Sequence, residues 1–126
     1  MLIEGYLYEE ILALPSDHIR ALILTGEPVV FRIGSATVLG EFRSGDDWLR
    51  LELAQIEGGG EGVLLTLGSL ARRFAQLNGI REIEWVVHAV HCVSPNLKLR
   101  GVLERRGFIV STLDCIEAYR LRESVG

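Results

Sequence analysis

The spacing of apolar positions changes character several times along the chain. In the first 28 residues Tyr8, Ile11 and Leu12 recur at helical intervals, Pro15-Ser16 interrupts, and Ile19, Leu22 and Ile23 share a second face that Gly26 and Pro28 close. Two short helices are expected there. From Val29 the period drops to two and the residue types become β-branched and aromatic. Residues 29–33 read as a strand, Gly34-Ser35 as a turn, 36–42 as a second strand, and Ser44-Gly45-Asp46-Asp47 as another reversal. The clearest alternation follows, with Leu49, Leu51 and Leu53 on one side and Trp48, Arg50 and Glu52 on the other, the mark of a strand with one apolar face. Helical spacing returns after Gly58, Gly59, Gly60 and Gly62, through Val63, Leu64, Leu67, Leu70, Ala71, Phe74 and Leu77, until Asn78-Gly79 ends it. Residues 80–90, rich in Ile, Trp and Val, read as an interior strand covered on both faces. Pro95-Asn96 opens another helix with Leu99, Val102 and Leu103 inward and Gly107 at its end, and 108–110 and 115–121 complete the chain as strands around Thr112-Leu113-Asp114.

The resulting order, α-α-β-β-β-α-β-α-β-β, is an α+β fold with a mixed sheet, and its 126 residues are expected to form one domain, 1–126. Composition narrows the function. Hydrophobic residues make up 48% and charged residues 24%, which is globular usage, and no apolar run approaches the ~18 to 20 residues that a bilayer helix needs. Thirteen Lys and Arg against seventeen Asp and Glu leave a net charge of −4, opposite to the basic footprint of a nucleic-acid binder. Neither nucleic acid nor membrane is an expected partner. Cys92 and Cys115 form neither a disulfide framework nor a CxxC pair, so no metal site is expected and both read as buried thiols. The start, Met1-Leu2-Ile3-Glu4, lacks the basic and apolar regions of a signal peptide, so the expected compartment is cytoplasmic.

The candidate chemistry starts at Gln55-Ile56-Glu57-Gly58-Gly59-Gly60, between a strand and the longest helix. The first N–H groups of a helix have no intrahelical partner, the helix dipole is positive at that end, and glycines let an anion approach the backbone. Gln55, Gly58 and Gly60 fit a Q-x-x-G-x-G pattern, with Val63 and Leu64 three and four residues beyond. Downstream, Asn96 is followed by Val102 at the sixth position, Glu104 at the eighth, and Gly107-Phe108 eleven and twelve residues on. Together these segments resemble the acyl-CoA pyrophosphate loop and the N-x-x-A-x-x-L-Y-E-x-x-G-F segment of the GNAT superfamily of N-acyltransferases. The resemblance runs over most of the chain.

That resemblance implies a GNAT-like fold whose two central strands splay apart, with the arm of acetyl-CoA or another acyl-CoA in the gap. Residues 51–54, from Leu51 through Leu53 to Ala54, would offer backbone pairing to the arm, Gln55, Gly58, Gly59, Gly60 and Gly62 would hold the pyrophosphate, and Asn96 would lie beside it. The implied reaction is direct attack of an amine, from a small molecule or a peptide, on the acyl thioester. Many family members associate through their C-terminal strands, which implies a homodimer through 115–121, between Cys115 and Leu121.

The chain also departs from the family pattern. Leu103 stands where a proton-donating Tyr is usual, and the glycine turn carries Glu57 and Glu61 with no basic residue. Candidates for proton transfer are Glu52, near the end of the third strand of the meander, and the group His88, His91, Cys92 and Ser94 at the carboxyl end of the central strand, where open sheets place ligands. Glu52, His91 and Ser94 are the catalytic candidates. Lys98, Arg100, Arg105 and Arg106 form a basic patch that is either solvated or turned to phosphate. Two functions therefore stand: a GNAT-like N-acyltransferase, or a catalytically inactive GNAT-like domain acting as a ligand-binding or protein-interaction module.

Overall fold

The structure, a computed structural model, describes residues 2–3, 6–7, 13–15, 17–18, 27–33, 36–57, 61–90, 97–113 and 115–125. Its elements are β1 (Leu2–Ile3), β2 (Tyr6–Leu7), β3 (Val29–Ile33), β4 (Ala36–Ser44), β5 (Trp48–Glu57), α1 (Glu61–Asn78), β6 (Glu82–Val87), α2 (Leu97–Arg105), β7 (Ile109–Leu113) and β8 (Ile116–Ser124). One sheet holds all eight strands in the order β2-β1-β3-β4-β5-β6-β8-β7. Neighbours are antiparallel except β5 and β6, which run parallel because α1 carries the chain back between them.

Period-two patterning sets one face of this sheet against both helices. Leu49, Leu51 and Leu53 of β5 lie opposite Ile83, Trp85 and Val87 of β6, and all six are buried. Tyr119 and Glu123 share that face on β8 and reach Glu104 of α2 and Arg72 of α1, so both helices cover it. Leu64, Leu67, Ala71 and Phe74 of α1 and Val102 and Leu103 of α2 complete the core. The ends of both helices follow from glycine. Gly79 adopts φ 68° and lets the Ile80 N–H donate to the Ala75 carbonyl at 3.0 Å, while Gly107, at φ 92°, lets the Phe108 N–H donate to Leu103.

Several expectations need correction. Two short strands, β1 and β2, extend the sheet beyond β3 and do not follow from the helical spacing that comes after them. Of the two expected N-terminal helices, Ala13, Asp17 and His18 are helical with Pro15 between them, and the rest lies outside the described residues. β6 is an interior strand shorter than 80–90, and only one of its faces is apolar: the other carries Glu82 and Glu84, half-buried among arginines from β5 and β8. β7 runs through Leu113, and the turn holds Cys115 at φ 64°. That position leaves Cys115 exposed rather than buried, and Cys92 lies outside the described residues. No helix among the described residues is long and apolar enough to cross a membrane.

Candidate functional site

β5 and β6 stay paired from Trp48 opposite Glu82 to Leu53 opposite Val87, and then separate. The last bond between them is donated by the His88 N–H to the Leu53 carbonyl at 2.9 Å. Beyond it β5 runs on from Ala54 to Glu57, and its ladder there is with β4 alone. On the other side of the fork the chain turns inward on itself. The Ala89 N–H donates to the Val87 carbonyl at 3.0 Å, and the Arg100 guanidinium of α2 donates from Nε to the Ala89 carbonyl at 2.7 Å and from Nη2 to the Val90 carbonyl. Arg100, expected either in solvent or against phosphate, instead binds these two carbonyls from α2.

The cause of the separation on β5 is a β-bulge. Leu39 pairs with Gln55 and Gly40 with Leu53, so Ala54 is an extra residue with no partner of its own on β4. A bulge bends its strand and increases the local twist, here at the first residue after pairing with β6 ends. Gly40 permits the close approach: a Cβ there would stand 3.1 Å from both the Glu52 carbonyl oxygen and Leu53 Cδ2. Of residues 51–54, expected to pair with the cofactor arm, Leu51, Glu52 and Leu53 are taken up by β6, and only Ala54 lies on the open edge.

At the apex of the fork, on the face away from the helices, Glu52 meets His88. A Glu52 carboxylate oxygen lies 2.9 Å from His88 Nε2, and both side chains are partly exposed. The parallel register produces this contact. Glu52 is opposite Val86, so the second residue beyond Val86 leans back over the same face at the point where the strand ends. Arg50 Nη2 approaches Glu52 at 3.6 Å, and Arg50 Nε approaches Glu84 at the same distance. Glu52 is therefore part of a charged lattice rather than a free solvated carboxylate. A carboxylate bonded to an imidazole beside an open edge can accept a proton and stabilise the cation that results.

The glycine turn is described only in part. α1 begins at Glu61, immediately after Gly58, Gly59 and Gly60, which lie outside the described residues. Gly62, in the first turn of α1, is exposed, and a Cβ built on it would meet no atom of the described residues within 4 Å. Gln55 lies within β5, paired with Leu39. His91, Ser94 and Asn96 fall outside the described residues, so the structure brings only Glu52 and His88 together from the candidates near the fork. Leu103 is fully buried on α2. On the helix-covered face the Tyr119 hydroxyl donates to Glu104 at 3.0 Å; burial first, and then the neighbouring carboxylate, push its pKa above the ordinary 10.0.

No known family profile and no curated protein sequence matches the chain. Among solved structures it is similar to a GNAT-family acetyltransferase from Streptococcus pneumoniae (TM-score 0.42, 16% identity, 81% of this chain and 69% of that one). It is also similar to Ard1 from Thermoplasma volcanium (0.41, 13%, 97% and 82%) and an acetyltransferase from Thermus thermophilus (0.41, 16%, 91% and 80%). The topology is GNAT-like. It is the strand order, the parallel central pair and its divergence after Leu53 and Val87 that carry this statement, rather than the overall superpositions.

Proposed function

We propose that the protein is an acyl-CoA-dependent N-acyltransferase that transfers an acyl group, acetyl in the simplest case, to an amine held over Glu52 and His88. The observation that carries this reading is the fork: a parallel pair that opens where a bulge bends one strand and an arginine binds the carbonyls beyond the other, with a carboxylate and an imidazole at its apex. The residues present fit the ligand. The edge of β5 from Ala54 to Glu57 is turned away from the β4 ladder and offers N–H and C=O groups to the amides of an extended arm, and Gly62 places no side chain on the first turn of α1.

Acyl-CoA, when bound, supplies an acyl carbon already activated by its thioester. The protein's share is positioning and proton transfer. Glu52 and His88 together take the proton from the attacking nitrogen as the N–C bond forms and the C–S bond breaks; His88 then returns that proton to the departing sulfur or releases it to water. Leu103 donates nothing, so α2 contributes shape to the reaction and the proton balance rests on the pair at the apex. The test is release of free thiol from acetyl-CoA in the presence of a mixed set of primary amines. Amine-dependent release that Glu52→Gln and His88→Gln each lower by about a hundredfold or more supports the reading, and its absence from the unaltered protein rejects it.

A second reading draws on the burial of Leu103. With no phenol on that helix, a GNAT-like domain that has lost catalysis and acts as a ligand-binding or protein-interaction module would show acyl-CoA binding without amine-dependent thiol release, or neither.

A further inference from the structure

The sheet ends differently on its two sides. On one side the edge strand, β2, is two residues long. On the other, β7 is five residues long, runs in regular register with β8 from Ile109 opposite Arg120 to Leu113 opposite Ile116, and has no strand on its outer side among the described residues. The unpaired N–H and C=O groups of such an edge invite another strand, and proteins that stay monomeric blunt it with charge, proline, a bulge or extreme shortness. Ile109-Val110-Ser111-Thr112-Leu113 has none of these devices. Its surroundings add apolar surface: Ile109 is 71% exposed, Val110 42%, and Ile116, just past the turn, 51%. Tyr119 and Arg120 of β8 are paired on both sides, with β6 and with β7, so in the C-terminal hairpin it is β7 that has a free edge.

What fits this edge follows from its own sequence. Charge is confined to the flanks: Arg105 and Arg106 precede the strand and Asp114 follows it. Glu117, which is exposed, lies opposite Thr112 near the same trailing end. A second β7 laid in parallel would bring like charges together at each end, whereas an antiparallel one brings the basic end of each copy to the acidic end of the other, twice over. Pairing about Ser111 sets Ile109 opposite residue 113 of the second copy, Val110 opposite Thr112, and Ser111 opposite its own equivalent. No charged residue of either copy then faces an apolar one along the strand. Register also puts Ile109 and Ile116 on the same face, so each Ile109 joins an apolar row that continues into the other copy.

We propose that the protein is a homodimer formed by antiparallel pairing of β7 with β7 of a second copy about a two-fold axis at Ser111, which joins the two sheets into one. The contact is isologous and closed: each copy uses its long edge, and the two-residue β2 at the far side offers too little to extend the assembly. It does not depend on the acyltransferase reading, because β8 and β6 lie between this edge and the fork.

Sedimentation equilibrium of the full chain over a range of concentrations tests it. The expected result is a reversible dimer of twice the 14.0 kDa chain mass. Ile109→Glu places a carboxylate at the contact while its cross-strand neighbour Arg120 keeps it paired in the single copy. It is expected to raise the dissociation constant about tenfold or more with an unchanged circular dichroism spectrum. Leu77→Lys, at an exposed apolar position of α1, is expected to leave the dimer as tight as before. Directly opposite residues of an antiparallel pair stand ~4.5 to 5.5 Å apart at Cα, within reach of a disulfide. Ser111→Cys in a Cys115→Ser background is therefore expected to give a covalent dimer on oxidation that Cys115→Ser alone does not.

A chain that stays monomeric up to millimolar concentration, or a dimer that Ile109→Glu leaves as tight as before, overturns the proposal. So does a dimer in which Ser111→Cys forms no disulfide.

Discussion

A Glu52 carboxylate oxygen and His88 Nε2 lie 2.9 Å apart across a parallel strand pair, one bond away from the point at which that pair opens. Neither residue belongs to a helix end. Glu52 is fixed by ladders on both sides, and the backbone N–H of His88 is the final rung of the β5–β6 ladder, so the contact is held by the sheet itself. A proton acceptor built on paired strands keeps its geometry with little entropic cost on binding a substrate.

The first expected outcome concerns this pair. Glu52→Gln and His88→Gln each lower the rate of acyl transfer by about a hundredfold or more, the usual worth of a positioned proton acceptor. Acetyl-CoA affinity stays within about twofold of the unaltered protein, because neither side chain lies on the edge offered to the arm. The double variant is no slower than the worse single one, since the two act as a unit. Steady-state kinetics with separate measurement of acetyl-CoA binding checks all three statements.

Gly40 controls the fork from behind. A β-carbon there would press on the Glu52 carbonyl and Leu53 at 3.1 Å, and the bulge has no spare room on that side. Gly40→Val is expected to lower stability by ~1 to 3 kcal/mol, as overpacking does. It should also weaken acetyl-CoA binding more than tenfold, because the bend at Ala54 shifts. Thermal denaturation combined with calorimetry checks both.

Leu103 stands where the resemblance to GNAT proteins implies a tyrosine. Because the side chain is fully buried, Leu103→Tyr is expected to act as an oversized core substitution, costing ~1 to 3 kcal/mol without raising the rate. Leu103→Ala costs ~2 to 5 kcal/mol through the cavity it leaves. An active Leu103→Tyr protein with unchanged stability and a faster rate contradicts this placement.

Tyr119 makes stability depend on alkaline pH in a stated direction. Its folded pKa is raised above 10.0 by burial and by Glu104, so the folded state holds the phenolic proton more tightly than the unfolded state. This contribution is complete below pH ~10, declines as pH rises past that value, and is lost as pH passes the folded pKa. Tyr119→Phe is expected to cost ~1 kcal/mol at neutral pH through the lost hydrogen bond and to flatten the fall of melting temperature above pH ~10. Melting curves taken from neutral pH to well above the ordinary tyrosine pKa on both proteins check the slope.

How much of this is legible in the sequence follows from the range of each signal. The β5 alternation, α1 between its glycines and Asn78-Gly79, and the short second helix ending at Gly107 are readable, because amphipathic period and helix stops are local properties. The charged face of β6 is not. Glu82 and Glu84 sit in an apolar run, and only the arginines brought alongside by β5 and β8 make their half-burial tolerable. Cys115 misleads for a similar reason: a small apolar residue suggests a core position, whereas the turn between β7 and β8 puts it outside.

At the site, Glu52 and the histidine cluster are each visible as candidates, but their meeting depends on a parallel register between residues 36 positions apart in the chain. The bulge is invisible for the same reason, since it exists only as an offset between two strands. Arg100 reads as part of a surface patch because nothing in its neighbours reveals that its guanidinium turns inward to Ala89 and Val90.

Isothermal titration of the full chain with acetyl-CoA tests the central claim, that the divergence beyond Leu53 and Val87 receives an acyl-CoA arm running toward the start of α1. The account predicts saturable micromolar binding that Gly62→Glu abolishes without loss of the fold, since a Cβ there meets no atom of the described residues and the side chain brings a repelling carboxylate to the helix start. No detectable heat at millimolar acetyl-CoA, or binding of equal strength in Gly62→Glu, contradicts it.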